Sequence, residues 1–180
     1  MGRLRPIEPL AEPLADGVVA VRFRRESDLR AIEEASHDPD TRRWLDDMPM
    51  DEAARRTSML RVQEAWRTGR AAPLVIADAA TDEPIGIINL QFRDDDVAAL
   101  AYGVFPAQRG RGIAPRAVRL VVGWGLDELG LTQILLEADV ENTASVRVAE
   151  KCGFQRIDSR APSAEGGHAT VVFGCVKREA

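Results

Sequence analysis

The stretch FPAQRGRGIAP, from Phe105 to Pro115, lies between an apolar run and a segment with helical periodicity. Its glycines, Gly110 and Gly112, can adopt positive φ and let a bulky ligand approach the backbone closely. The helix that follows would present unbonded N–H groups and the positive end of its dipole at this point, where phosphates commonly bind. The stretch therefore predicts either a phosphate-binding loop or a solvated surface turn.

Arginines accompany these glycines. Arg109 and Arg111 alternate with them, and Arg116 and Arg119 follow on the next turns. A guanidinium suits phosphate because its planar fork donates two hydrogen bonds at once. Two common phosphate motifs are excluded, since a dinucleotide fingerprint needs a third glycine where Pro115 stands and a Walker A loop needs Gly-Lys-Ser/Thr.

Composition limits the function classes. The 180 residues fit one domain, and 24 Lys+Arg against 29 Asp+Glu give a net charge of -5, which argues against broad nucleic-acid binding. No apolar run approaches the ~20 residues of a membrane span, and the first residues lack the apolar core of a secretory signal. We therefore expect a cytoplasmic protein that binds neither nucleic acid nor membrane. Cys152 and Cys175 lack metal-ligand spacing and predict neither a metal site nor a disulfide.

Periodicity predicts the elements of the first half of the chain. Alternation predicts a strand at Val18–Arg25, and Ser27 is expected to cap a short helix that Asp38 and Pro39 interrupt. The next predicted elements are a helix at Asp51–Gly69, a hairpin of strands Leu74–Asp78 and Pro84–Phe92, and a strand at Asp96–Pro106. Gly103 inside that last strand indicates a bulge or a close backbone approach.

The second half continues with alternating helices and strands. The predicted elements are a helix from Ile113 to about Leu129, a strand at Thr132–Val140, a helix from Asn142 or Thr143 to Gly153, and strands at Gln155–Arg160 and His168–Lys177. Together these elements predict an α+β fold of three layers, with a mixed, mostly antiparallel sheet flanked by helices and one strand-helix-strand crossover. Residues 1–16 are interpreted as an N-terminal tail and residues 17–180 as a single domain.

Two segments resemble a known family. RGRGIA, Arg109–Ala114, fits the Arg/Gln-x-x-Gly-x-Gly/Ala loop with which the GNAT superfamily of N-acetyltransferases holds the pyrophosphate of acetyl-coenzyme A. NTASVRVAEKCGF, Asn142–Phe154, fits the helix pattern N-x-x-S-x-x-x-x-x-K-x-G-F of that family. The element order from Val18 to Lys177 is also similar, and the chain looks most like the RimJ/RimL-like branch. The resemblance implies a GNAT-type sheet with a splayed central strand pair and a pyrophosphate loop.

The resemblance implies acetyl-coenzyme A as the acyl donor and assigns residues to it. Its pantetheine arm is expected to pair with the backbone of Val104, as an added strand would. Asn142 is expected to hydrogen-bond the same arm, although asparagine before a helix is a good N-cap without any ligand. The complete implied set is Val104, Phe105, Arg109, Gly110, Arg111, Gly112, Ile113, Ala114 and Asn142.

The catalytic groups are less evident. Ser145 is the implied acid for the departing thiolate, because Ala149 stands where many relatives carry a tyrosine. Glu137 is the candidate base because it lies on the strand beside the gap, and the alternatives are Asp139, Glu141 and His168. Solvation of the polar face of a strand would also explain these acidic residues. The strand before the loop is poor in acids, which favours an acceptor amine of low pKa, such as an α-amino group near ~7.7 to 8.0.

The acceptor site is expected to be built in part by the early helices, where Trp44, Met48 and Trp66 line it or belong to the core. The predicted function is transfer of an acetyl group to a primary amine, of a protein N-terminus or a small molecule, by direct attack on the thioester. The alternative is a module that binds acyl-coenzyme A without turnover. A monomer or homodimer is expected.

Overall fold

Eight strands form one mixed sheet in the computed structural model, which describes residues 6–8, 10–45, 49–162 and 168–177. The strands are β1 Leu14–Ala15, β2 Val19–Phe23, β3 Ala71–Asp78, β4 Pro84–Phe92, β5 Val97–Val104, β6 Gln133–Asp139, β7 Gln155–Arg160 and β8 Thr170–Val176. Their order across the sheet is β1-β2-β3-β4-β5-β6-β8-β7, and β5 pairs with β6 in parallel while the other neighbours are antiparallel. The predicted fold class is confirmed.

Five α-helices flank the sheet over the residues described: α1 Leu29–Ser36, α2 Pro39–Leu45, α3 Glu52–Thr68, α4 Ile113–Gly123 and α5 Thr143–Lys151. Their ends follow local chemistry. The Asp51 carboxylate accepts from the Ala54 N–H at 2.7 Å and caps α3, and Gly69 ends that helix at φ 69°. None of the helices among these residues has the length and apolar character needed to span a bilayer.

The core divides between the two faces of the sheet. The larger part lies under α4 and α5 and includes Val118, Val121 and Leu136. A smaller cluster on the other face joins Leu29 and Ile32 of α1 to the sheet. Alternate side chains of β5, those of Ala98 and Leu100, join the larger part. Phe105, directly after β5, packs against the smaller cluster.

Three details of the structure differ from the prediction. The predicted interruption at Asp38 and Pro39 is confirmed, since α1 ends at Ser36, but helix α2 was not predicted: the Asp38 carboxylate accepts from the Thr41 N–H at 2.9 Å and caps α2, with Pro39 as its first residue. The α-helix predicted to about Leu129 ends at Gly123 and continues as a π-helical turn, in which the Leu129 N–H donates to the Trp124 carbonyl at 3.0 Å.

The third difference concerns Gly103. No bulge forms there, because β5 stays in register with β4 from Ala98 opposite Phe92 to Val104 opposite Gly86. The close approach is real instead: a Cβ on Gly103 would lie 3.2 Å from Leu45 Cδ1 of α2. The glycine therefore makes room for a neighbouring helix.

The segment predicted as a tail takes part in the packed structure. Strand β1 pairs with β2, and Ile7 is 3% exposed, with its N–H donating to the Trp66 carbonyl at 3.2 Å. The described residues of this segment thus extend the sheet and the core. The division of the chain at residue 16 and the single domain after it stay predictions.

The central strands separate, as the resemblance implied. Strands β5 and β6 pair only from Val97 opposite Gln133 to Leu100 opposite Leu136. Beyond that point β5 stays with β4 to its end, and β6 stays with β8 to Asp139. A gap therefore opens between the last residues of β5 and those of β6.

Candidate active site

The edge of β5 that faces this gap has free backbone groups. The Phe105 N–H donates to the Ile85 carbonyl at 2.9 Å, on the β4 side. Because backbone groups of successive residues in a strand point to opposite sides, the N–H and C=O of Val104 point into the gap. They have no strand partner there among the residues described, so an extended ligand can pair with them.

The loop after β5 brings further free donors to the same place. Gly110 and Gly112 have φ of 76° and 71°, and Gly112 directly precedes α4. The N–H groups of Gly110, Arg111 and Gly112 donate to no acceptor within the described residues. Ile113 is the first residue of α4, where an N–H has no intrahelical acceptor. Backbone donors at a helix N-terminus fit a diphosphate.

Helix α5 adds polar side chains beside the gap. The Asn142 Oδ1 accepts from the Ser145 N–H at 3.1 Å, so Asn142 caps the helix and its side-chain amide keeps its donors. The Tyr102 hydroxyl of β5 donates to Ser145 Oγ at 3.2 Å. Burial raises the pKa of Tyr102, and the Ser145 hydrogen bond opposes that rise. Two hydroxyl groups therefore form a protonated pair at neutral pH.

A cavity of about 600 Å³ lies on the other face of the sheet, among α1, α2, α3 and β4. One of its walls is the end of β5, formed by Gly103, Val104 and Phe105. The cavity therefore meets the gap at the residues whose backbone can pair with an extended ligand. A second ligand in the cavity would lie next to the first.

The loop, the gap and the cavity agree with one family. A family model described as an acetyltransferase (GNAT) domain matches residues 19–155. The chain belongs to the GNAT acetyltransferases. It is thus an acyltransferase of a family that uses acetyl-coenzyme A. The free N–H groups of the loop and the free backbone of β5 fit that molecule.

Known GNAT proteins share its sequence weakly and its fold closely. The uncharacterized N-acetyltransferase p20 of Bacillus licheniformis is 25% identical over 122 residues, which cover 66% of this chain and 68% of that protein. Spermidine N-acetyltransferase from Vibrio cholerae, in complex with CoA and spermine, has a TM-score of 0.78 at 18% identity and covers 89% of this chain and 96% of its own. RimL, a ribosomal L7/L12 alpha-N-protein acetyltransferase in complex with coenzyme A, has a TM-score of 0.80 at 16% identity, with coverages of 92% and 98%.

The loop arginines of this GNAT domain are largely engaged elsewhere. Arg109, expected at the pyrophosphate, donates to Asp38 at 2.7 Å and to Thr41 Oγ1 at 2.9 Å, so its guanidinium joins the loop to α2. This hydrogen bond to Arg109 is the main reason why the pKa of Asp38 is lowered. Arg111 donates to Gln108 Oε1 at 2.9 Å on the exposed side of the loop. The backbone therefore provides more of the anion site than the sequence suggested.

Two further arginines of α4 are also paired. Arg116 donates to Asp16 at 2.7 Å, and Arg119 donates to the Lys151 carbonyl at 2.8 Å, at the end of α5. These contacts hold α4 against the N-terminal segment and against α5. The pyrophosphate of a bound coenzyme A would consequently meet a loop that is already fixed in place.

The three acidic residues and the histidine considered as bases do not line the cavity. Glu137 accepts from Arg160 at 3.3 Å on the exposed face of β6. Asp139, Glu141 and His168 lie together beyond the end of β6, with His168 Nδ1 at 3.2 Å from Glu141 Oε1. None of the four is among the residues that line the cavity.

The aromatic residues expected at the acceptor site lie elsewhere. Trp66 is 8% exposed in the core, with its ring 4.5 Å from that of Phe23 and 6.2 Å from that of Trp124. The Arg43 guanidinium covers Trp44 at 4.3 Å, and neither tryptophan lines the cavity. Met48 falls outside the described residues.

Sequence reasoning missed Tyr102. Ala149, which occupies the usual tyrosine position of the family pattern, is fully buried, whereas Tyr102 supplies a hydroxyl to Ser145 from the neighbouring strand. The available signal was that Tyr102 is the single tyrosine of the chain and lies on the strand that precedes the loop.

Proposed function

We propose that this GNAT protein transfers an acetyl group from acetyl-coenzyme A to a primary amine by direct attack on the thioester. The amine would belong to a protein N-terminus or to a small molecule. One observation carries the proposal: Gly103, Val104 and Phe105 form both a wall of the cavity and the free edge of the gap. An amine in the cavity would be positioned beside a donor bound along that edge.

The residues that would hold the donor have separate tasks. The N–H groups from Gly110 to Ile113 would bind the diphosphate, the backbone of Val104 would pair with the pantetheine arm, and the amide of Asn142 would donate to the same arm. Acetyl-coenzyme A supplies an activated acetyl group on a good leaving group. The protein contributes position, because the loop and the strand edge are fixed by their own hydrogen bonds.

The cavity favours an amine that needs little help to lose its proton. Asp51 is the one carboxylate among the described residues that line it, and its Oδ1 already caps α3. An α-amino group, with a pKa near ~7.7 to 8.0, is partly neutral at physiological pH, whereas a lysine amine near ~10.4 is almost fully protonated. We therefore favour an α-amino or similar acceptor, whose proton leaves to water.

Ser145 and Tyr102 would complete the reaction on the other face of β5. As the nitrogen-carbon bond forms and the carbon-sulfur bond breaks, the Ser145 hydroxyl would donate a proton to the departing thiolate, and Tyr102 would donate to Ser145 Oγ along their hydrogen bond. The products are the acetylated amine and the free thiol. Solvent restores the proton to Tyr102.

A thiol-release assay tests the proposal. The protein is mixed with acetyl-coenzyme A and with three acceptors, namely a peptide with a free α-amino group, the same peptide with only a lysine amine, and spermidine. We expect release with the first acceptor, at a rate that rises with pH as the α-amine deprotonates. Absence of thiol release with a broad set of amines would contradict the proposal.

A binding module without turnover is the second candidate function. The shortage of carboxylates in the cavity favours it, because no obvious base is available. Tight binding of acetyl-coenzyme A in calorimetry, together with no transfer to any amine, would support it. The cytoplasmic location and the monomeric or homodimeric state stay predictions from the sequence.

A further inference from the structure

Three arginines line the acceptor cavity and have no partner among the described residues. Arg24 follows β2, Arg42 lies on α2 and Arg61 on α3, and each contributes to the cavity wall. Within the residues described, none of the three side chains makes a hydrogen bond or an ion pair. Asp51, the carboxylate of the same wall, is engaged in capping α3. The described part of the cavity wall therefore carries three guanidinium groups and one carboxylate.

Arg22 shows what a structural arginine looks like in the same neighbourhood. Arg22 and Arg24 are two positions apart and share a face of the chain. Arg22 is 4% exposed and makes a two-pronged contact with Asp28, at 2.8 and 3.0 Å, and a further bond to Asp82 at 2.7 Å. Asp28 and Asp82 thus neutralise Arg22 and are not bound to Arg24.

The Arg24 side chain is partly exposed, but part of its guanidinium is buried. Its Nε is inaccessible to solvent and has no acceptor within the described part of the chain. Burial lowers the pKa of Arg24, and the charge of Asp28 opposes this through space. A guanidinium remains charged at neutral pH even so, and an unpaired buried cation is costly. An anion that enters the cavity would remove that cost.

We propose that the acceptor amine carries a carboxylate, which Arg24 binds from inside the cavity while Arg42 and Arg61 attract it at the mouth. This inference rests on the proposed function, since it names the substrate class of the same site. The carboxylate could belong to a free amino acid or to an acidic side chain near the N-terminus of a peptide. Both sources present the same chemistry: an amine and an anion on one short skeleton.

The proposal separates this protein from a polyamine acetyltransferase. Its structural neighbour from Vibrio cholerae was solved with spermine, a polycation. A polycation in the present cavity would meet three guanidinium groups that have no partner in the described part of the chain, and a carboxylate that is already engaged. Like charges brought together in this way oppose binding.

Matched acceptors test the charge preference. Three peptides share a free N-terminal serine and differ in the next three residues, which are glutamates, glutamines or lysines. Free glutamate, its analogue glutamine amide, which has no carboxylate, and spermidine complete the set. We expect kcat/KM to be at least ~10-fold higher for the glutamate peptide or for free glutamate than for the neutral counterpart, and lowest for the cationic acceptors. A preference confined to the peptide or to the amino acid identifies the source of the carboxylate.

Variants assign the preference to the named residues. Arg24→Met keeps a long apolar stem and should lower kcat/KM for the anionic acceptor by ~10- to 100-fold, with little effect on the neutral one. Arg42→Met and Arg61→Met change exposed positions, so these variants should fold even if Arg24→Met does not. Each should lower kcat/KM for the anionic acceptor several-fold. Arg156→Met on β7 removes the same charge from an exposed strand at the far edge of the sheet and should change nothing.

A binding measurement separates the two levels of the proposal. Fluorescence anisotropy with labelled glutamate and lysine peptides reports the charge preference even if no acetyl group is transferred. Preferential, Arg24-dependent binding without transfer would contradict the proposed function and support the anionic ligand. Transfer to spermidine, lysine and glutamate peptides at equal rates, or an unchanged glutamate preference in Arg24→Met, would overturn the carboxylate assignment and leave the acetyltransferase in place.

Discussion

The two sides of the end of β5 offer different groups to a ligand. On the donor side, the backbone of Val104 and the loop N–H groups are free, while Arg109 is already paired with Asp38. On the cavity side, three arginine side chains of the wall have no partner among the described residues. Backbone groups suit acetyl-coenzyme A, the acetyl donor that the whole family shares. Side chains can be exchanged without altering the fold, so they suit an acceptor that differs between relatives.

The donor side should fail most severely at Gly112. This residue precedes α4 with a φ of 71°, where a β-branched residue is strained. Gly112→Val would turn the loop N–H groups away from the diphosphate, and the loss of two charge-assisted hydrogen bonds should weaken acetyl-coenzyme A binding by at least ~100-fold. Isothermal titration calorimetry measures the change.

Gly123→Val is the matched control for that variant. Gly123 has a φ of -56°, and a Cβ there would meet nothing within 4 Å, so the same side chain is added without backbone strain. We expect donor affinity to stay at the wild-type value. If Gly112→Val also kept that affinity, the loop would not be the anion site.

Ser145→Ala sharpens the comparison, because it should impair chemistry on the donor side without affecting either binding site. Removal of an acid should lower kcat by ~100-fold, with unchanged affinity for acetyl-coenzyme A. The helix cap survives, since Asn142 accepts from the Ser145 backbone N–H and not from its hydroxyl. Stopped-flow thiol release gives kcat, and an equal melting temperature confirms the fold. A wild-type kcat would exclude Ser145 as the acid.

Tyr102→Phe should have a smaller effect, because the tyrosine acts through Ser145. We expect a ~10-fold lower kcat, and no further loss when the change is added to Ser145→Ala. Burial raises the pKa of Tyr102, so its acid form persists above the usual value near ~10 and the wild-type kcat should not fall below that pH through loss of this proton. A pH profile of kcat for the four proteins checks both statements; additive losses would show that the two hydroxyls act independently.

The donor side was predictable because its requirements are local. Gly110, Gly112 and Asn142 satisfy demands of positive φ and helix capping that lie within a few residues of sequence. Tyr102 was missed because its partner is 43 residues away, across a strand-helix-strand crossover. A tertiary contact of this kind produces no periodic pattern in the sequence.

The acceptor cavity was less predictable for the same reason. Arg24, Arg42 and Arg61 come from a strand end and two helices. Helix α2 was missed because Asp38-Pro39, which does separate it from α1, is also the cap and first-turn proline with which α2 begins. The sequence left open whether Trp66 lines the cavity or belongs to the core, and the structure places it in the core. Which arginines remain unpaired depends on the positions of every carboxylate, and the sequence does not give those.

The smallest expected effect tests the link between the two sides. Arg109 joins the donor loop to α2, a cavity helix, through its bond to Asp38 at 2.7 Å. Asp38→Asn keeps the helix-capping oxygen and removes the charge, and should raise the KM for acetyl-coenzyme A a few-fold while the preference for anionic acceptors stays unchanged. Asp40→Asn, whose carboxylate is 3.6 Å from the same guanidinium and mostly exposed, is the control and should change neither.

Thermal unfolding as a function of pH gives an independent measure of the same link. Because Arg109 lowers the pKa of Asp38 in the folded state, the stabilisation is present above the ordinary value of 3.8 and is lost as the pH falls through the lowered pKa. Asp38→Asn should therefore melt a few degrees below wild type at neutral pH, and the two curves should converge in strong acid. A difference that persisted there would show that the variant acts through the α2 cap rather than through Arg109, and the loop and the cavity would then be independent units.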